Sequence, residues 1–107
     1  MKDLQPAEKQ KTRYLKFKVH SDEKIGISDL VDGFWKNAIE FIGSKELSAA
    51  SPWIIANKYD EETQTGIIRV NRDYVQDVRA SMTLTEKFNG KKGFFEVKKT
   101  SGSIRAI

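Results

Sequence analysis

PWIIANKYDEETQTGIIRVNRDYVQDVRA, residues 52–80, encodes a strand, an acidic turn, a second strand and a helix with almost no spare residues between them. Trp53 to Tyr59 reads as extended, with Trp53, Ile55 and Tyr59 on one face and Ile54 and Ala56 on the other. Both faces are apolar near its start, so part of this strand is expected to be covered twice. Asp60 to Gly66 forms a hairpin turn and Gly66 to Val70 the returning strand. Asn71 then caps a helix directly, its side-chain oxygen taking an otherwise unpaired N–H of the first turn. In that helix Val75, Val78 and Met82 face inward, while Arg72, Gln76, Arg79 and Thr83 form a polar stripe.

Upstream, Arg13 to His20 alternates: Leu15, Phe17 and Val19 share one face, and Tyr14, Lys16, Lys18 and His20 the other, the pattern of a half-buried strand. A polar loop, SDEKIG, separates it from a helix that Ser28 can cap and Gly43 can end. Leu30, Val31, Phe34, Ala38 and Phe41 make its inner stripe, with Trp35 and Ile39 to the side. Lys45 to Ser51 is a short, small-residue connection closed by Pro52. Downstream, Asn89-Gly90 signals a turn, Phe94 to Lys99 a fourth strand, and SGSIRAI, Ser101 to Ile107, a tail that extends the strand or folds over the sheet. Residues 1–12, with Pro6 and mixed charges, read as a flexible arm, and residues 13–107 as one domain.

Strand, helix, strand, strand, helix, strand is the order of an α+β, ferredoxin-like (RRM-like) βαββαβ sandwich: an antiparallel sheet with both helices on one face. In that topology the first and last strands are neighbours, which matters because of the charge. The 107 residues carry a net charge of +4. Met1 to His20 holds six basic side chains against two acidic ones, Glu86 to Ile107 holds the same, and the centre is net acidic. Adjacent outer strands would merge the two basic ends, Lys16 and Lys18 with Lys98 and Lys99, into one patch suited to a polyanion.

Several chemistries are excluded. There is no cysteine, so no disulfide and no thiolate metal site. A lone His20 supports neither a zinc centre nor a serine–histidine–acid set, and no glycine-rich phosphate loop is present. Asp60, Glu61 and Glu62 lack the spaced oxygen ligands of a cation loop and read as a solvated hairpin tip. No apolar run reaches a membrane span, and the charged start is no signal peptide; the expected location is cytoplasmic. KGFFEV, residues 92–97, looks like the glycine–aromatic motif of RNA recognition motif domains, but it falls on the fourth strand rather than the third. Phe95, and Phe94 with it, therefore read as core. Arg69 interrupts an apolar strand, and Arg72 opposes a helix dipole. Such placements fit a phosphate partner or salt bridges to Asp60, Asp73 or Asp77.

RYLKFKV, the tryptophan-bearing helix, PWIIANKYDEETQTGIIRVNRDYVQDVRA and SGSIRAI together resemble the archaeal and eukaryotic ribonuclease P protein component 2 family, in its compact archaeal form. The similarity runs from about Arg13 to the end and is most specific at YDEETQTGIIRVNRDYV and at Gly102 to Arg105. The resemblance implies a subunit of the ribonucleoprotein endonuclease that removes the 5′ leader from precursor tRNA. It implies that the RNA holds the catalytic centre and its magnesium ions, with no cofactor on the protein and no catalytic side chain. It also implies a barrel-fold partner, component 3, and a two-plus-two assembly that can include a homodimer. Candidate RNA-binding residues are Lys16, Lys18, Arg69, Arg72, Arg79, Lys98, Lys99 and Arg105; candidate partner-binding residues are Trp35, Ile39 and Trp53. A freestanding single-stranded RNA-binding module on the same fold is the alternative, and needs exposed aromatics on its strands. An acylphosphatase is disfavoured because Asp22 and Glu23 would repel phosphate from the loop after the first strand.

Overall fold

β1, Thr12–Ser21, buries Leu15, Phe17 and Val19 and turns its alternate side chains the other way, as period-two patterning requires. It is the middle of the sheet in a computed structural model that describes residues 11–107. Of the arm expected over residues 1–12, residues 1–10 lie outside the described residues and Thr12 already belongs to β1. The remaining elements are α1 (Ile27–Ile42), α2 (Ser44–Ala50), β2 (Trp53–Ile54), β3 (Thr65–Asn71), α3 (Val75–Thr83), β4 (Lys87–Phe88) and β5 (Lys91–Ser101). The sheet order is β2-β3-β1-β5-β4, antiparallel throughout. First and last long strands are neighbours, so the ferredoxin-like arrangement holds, with β4 added at the edge. Asn89 and Gly90 make that hairpin with φ of 54° and 84°; two positive φ values are what a tight two-residue hairpin turn asks for.

The core lies between the sheet and the helices. Leu30, Phe34 and Ala38 of α1, Leu47 and Ala50 of α2, and Val78 and Met82 of α3 are buried against Phe17, Ile68, Val70 and Phe88. Phe95 sits at the hub, meeting Phe17 and Phe88 edge-on at centroid distances of 5.2 and 5.1 Å, a preferred aromatic geometry. At Gly33 an added Cβ would stand 2.9 Å from the Phe88 Cα and 3.0 Å from the Lys87 carbonyl. α1 therefore crosses β4 where only a glycine fits. Among the described residues no helix is long and apolar enough to cross a membrane.

Five local readings are corrected. α1 is capped by Gly26 rather than Ser28, and the Ile27 N–H donates to the Glu61 carboxylate, 3.1 Å away. Phe41 is 49% exposed, because the stripe through residues 30, 34 and 38 continues in steps of four to Ile42, which packs on the core. The connection at 45–51 is helix α2, with Leu47 and Ala50 one turn apart and both buried. The strand expected over 53–59 is extended only at Trp53–Ile54 and then turns into a 3-10 segment, Ala56–Lys58. That turn brings the Tyr59 hydroxyl to the Ile25 carbonyl at 2.7 Å. The Asn71 side chain does accept from the Asp73 N–H, at 2.9 Å, but it caps a 3-10 turn at Arg72–Tyr74 rather than α3 directly, whose own N-cap is Tyr74.

Candidate nucleic-acid interface

The side of the sheet away from the helices carries the alternate side chains of each strand. β1 contributes Tyr14, Lys16, Lys18 and His20; their register partners are Arg69, Ile67 and Thr65 on β3, and Ser101, Lys99, Glu96 and Phe94 on β5. Trp53 of β2 pairs with Arg69 at the far edge. The register between β1 and β5 shifts between Lys16 and Phe17, which leaves Lys98 as an extra residue in β5. In a regular strand Lys98 and Lys99 would point to opposite faces; a bulge sets two residues against one and re-aims them. Lys99 lies opposite Lys16, while the Lys98 ammonium reaches Glu96 on the same face at 3.6 Å. Three lysines of that face thus gather around one point of the sheet, with Lys18 next to them.

Glu96 is the acidic counterweight. It accepts a 2.7 Å hydrogen bond from His20 Nε2 and sits opposite Lys18. The His20 bond, with Lys98 adding its charge, holds its carboxyl below the ordinary glutamate range. Among the described residues Lys16 and Lys99 have no such neutralising partner: Lys99 donates to the Ala106 carbonyl at 2.7 Å, which ties down the 3-10 turn Ile104–Ala106 and its exposed Arg105. Like charges directly across a strand pair are destabilising.

The candidate arginines divide. Arg69 is exposed on the open face and makes no ion pair among the described residues, so the salt bridge weighed for it is not formed. Arg72 does pair, with Asp73 at 3.5 Å and both groups exposed. Arg72 and Arg79 are exposed at the start and on the surface of α3, on the helical side rather than with the lysines. The partner candidates converge. Trp35 and Ile39 from α1, Leu47 from α2, Trp53 from β2 and Arg69 line a groove of about 470 Å³ at the β2 edge.

Phe94 is not core. It is 54% exposed and stacks on His20 across the strands. The signal was in the sequence, since Phe94 and Phe95 are consecutive in a strand and cannot both face inward. The acidic turn is a solvated tip, as read, with all three acids exposed, and it has structural work as well. Asp60 accepts from the Glu62 N–H at 2.8 Å, Glu61 caps α1, and Glu62 pairs with Lys24 at 2.9 Å. Among the described residues no group of three or more His, Asp or Glu side chains is arranged to hold a metal.

The Rpp14/Pop5 family model matches residues 13–107. Ribonuclease P protein component 2 of Pyrococcus furiosus is 38% identical over 106 residues, covering 99% of this chain and 87% of that protein. The protein of the same name from Methanocaldococcus jannaschii is 33% identical over 105 residues, covering 98% and 75%. A chain from the cryo-EM structure of yeast ribonuclease MRP shares the fold with a TM-score of 0.72, at 15% identity, over 92% of this chain and 79% of that one.

Proposed function

This chain belongs to the Rpp14/Pop5 family, and we propose that it is the component 2 protein subunit of ribonuclease P, in the enzyme that matures the 5′ end of tRNA. It binds the catalytic RNA through the open face of its sheet and adds no side chain to the chemistry, which the RNA performs with its own magnesium ions. The observation that carries this reading beyond the relatives' names is the opposition of Lys16 to Lys99, with Lys98 brought alongside by the bulge. A like-charge pair is a cost to the free protein and a gain once phosphates lie between the ammonium groups. Arg69 and Arg105 extend the same surface, while Arg72 and Arg79 offer phosphate contacts from α3. The groove of Trp35, Ile39 and Trp53 supplies an apolar site for component 3, in an assembly that can hold two copies of each.

The test is to replace Lys16, Lys18, Lys98 and Lys99 together in the reconstituted enzyme. RNA affinity should fall for every sequence, and the log–log dependence on salt should flatten by about one unit per lost contact. Cleavage should drop at low magnesium and recover substantially at high magnesium, where added cations replace the missing screening. Loss of cleavage at all magnesium concentrations, with folding, assembly and RNA affinity intact, would mean that a side chain takes part in the reaction and the reading is wrong.

A further inference from the structure

His20 and Phe94 face each other across β1 and β5 on the open side of the sheet. Their rings are stacked, with centroids 4.9 Å apart and planes 17° from parallel. Glu96 fixes the imidazole through the 2.7 Å bond to Nε2, so two side chains that could turn freely are held as one stacked pair. Scattered exposed apolar residues are ordinary on protein surfaces. This one differs because it is stacked and pinned, and because lysines of the same sheet face stand on one side of it. Lys18 is two residues from His20 on the same face and Lys98 shares its Glu96 partner; the cleft of about 1210 Å³ on the other side of the pair carries Asp22, Glu23, Glu62 and Glu86 as well as lysines, so the phosphates are directed to the sheet lysines rather than into it.

Each part restricts the occupant. Lysines favour a polyanion, and an open aromatic face favours a flat π system that can continue the stack. A base inside a duplex has both faces covered by its neighbours, so only an unpaired one can meet the ring. We infer that the His20–Phe94 pair is a stacking platform for one unpaired nucleobase of a single-stranded RNA segment, whose neighbouring phosphates lie along Lys16, Lys18, Lys98 and Lys99. The inference rests on the RNA-binding reading above and adds a base contact to a surface otherwise made of phosphate contacts. The base is held by its face rather than its edges, so the site accepts any base and selects strandedness, not sequence.

The full chain is titrated with three RNA probes of matched phosphate number: a single strand, the same strand with abasic positions, and a blunt duplex. The intact protein should prefer the base-bearing strand to the abasic one. Phe94→Ala should weaken binding of that strand about 5- to 150-fold, the range given by loss of one stacked base, with duplex affinity and the salt slope unchanged because no phosphate contact is removed. Phe94→Trp should retain the preference, and His20→Ala should reduce it in the same direction by freeing the ring. Equal binding of all three probes by Phe94→Ala and the parent, with equal melting temperatures, overturns the platform. A parent that binds the duplex in a salt-dependent way but does not distinguish base-bearing from abasic strands overturns the platform alone. Binding to none of the three probes removes the RNA-binding reading as well.

Discussion

Tyr59 pins the acidic turn to the start of α1. Its hydroxyl donates to the Ile25 carbonyl at 2.7 Å, while Gln64 accepts from the Ile25 N–H at 2.6 Å and donates to the Val19 carbonyl at 2.9 Å. Two side chains of one hairpin, through three hydrogen bonds, thus hold the loop that the polar sequence SDEKIG left without structure of its own. Burial first, and the charges of Glu61 and Asp60 after it, push the Tyr59 phenol from 10.0 up to about 12. A raised folded value means that the neutral phenol is favoured by folding. Its contribution is therefore complete below pH 10, the unfolded value, and is lost as pH rises towards 12. Urea unfolding between pH 8 and 12 should show this alkaline loss in the parent and a shallower one in Tyr59→Phe. At neutral pH that variant should be about 1 kcal/mol less stable for want of the hydrogen bond. An equally steep alkaline limb in Tyr59→Phe would assign the loss to another group.

At the scale of elements, the bulge in β5 decides what the open face presents. Lys16 faces Lys99, and neither forms an ion pair among the described residues, whereas Lys18 faces Glu96. Replacing Lys16 by glutamine should leave the free protein as stable or more stable by a few tenths of a kcal/mol at low salt, a gain that 1 M salt erases. RNA affinity should fall in the same variant. A loss of more than about 1 kcal/mol would instead show that Lys16 supports the fold. Strong periodicity made the long elements legible: β1 by strict alternation, α1 by steps of four, and the β4–β5 turn by Asn89-Gly90. Short elements were not. α2 buries only Leu47 and Ala50, too few to set a period, and β2 stops after Ile54 because Tyr59 is drawn to Ile25 rather than along the sheet. The lysine cluster was half legible. The neighbouring of β1 and β5 follows from the order of elements, but nothing in KKTS announces a bulge, and the pairing of Glu96 with His20 depends on a register no local pattern encodes.

Across the whole molecule the two proposed binding surfaces meet at one register pair, Trp53 and Arg69. Arg69 stands on the open face among the cations, and it also lines the groove with Trp35, Ile39 and Trp53. Trp53 is 59% exposed and Ile39 50% exposed, which places large apolar side chains from a strand and a helix around one concavity. Aromatic anchors set in a groove are where protein interfaces concentrate their binding energy, and truncating one of them commonly costs 2 kcal/mol or more. If component 3 occupies this groove, Trp53→Ala should weaken its association about 30-fold or more by calorimetry, and Ile39→Ser should act in the same direction. Melting of the isolated chain should hardly move, because both side chains are already open to solvent. RNA affinity of the isolated chain should keep its salt slope in these variants, since neither removes a positive charge, whereas Arg69→Gln should lower that slope by about one unit. Undiminished association in the Trp53→Ala, Ile39→Ser double variant would place component 3 elsewhere on the surface. A salt slope altered by Trp53→Ala would mean that the groove and the open face bind one ligand rather than two.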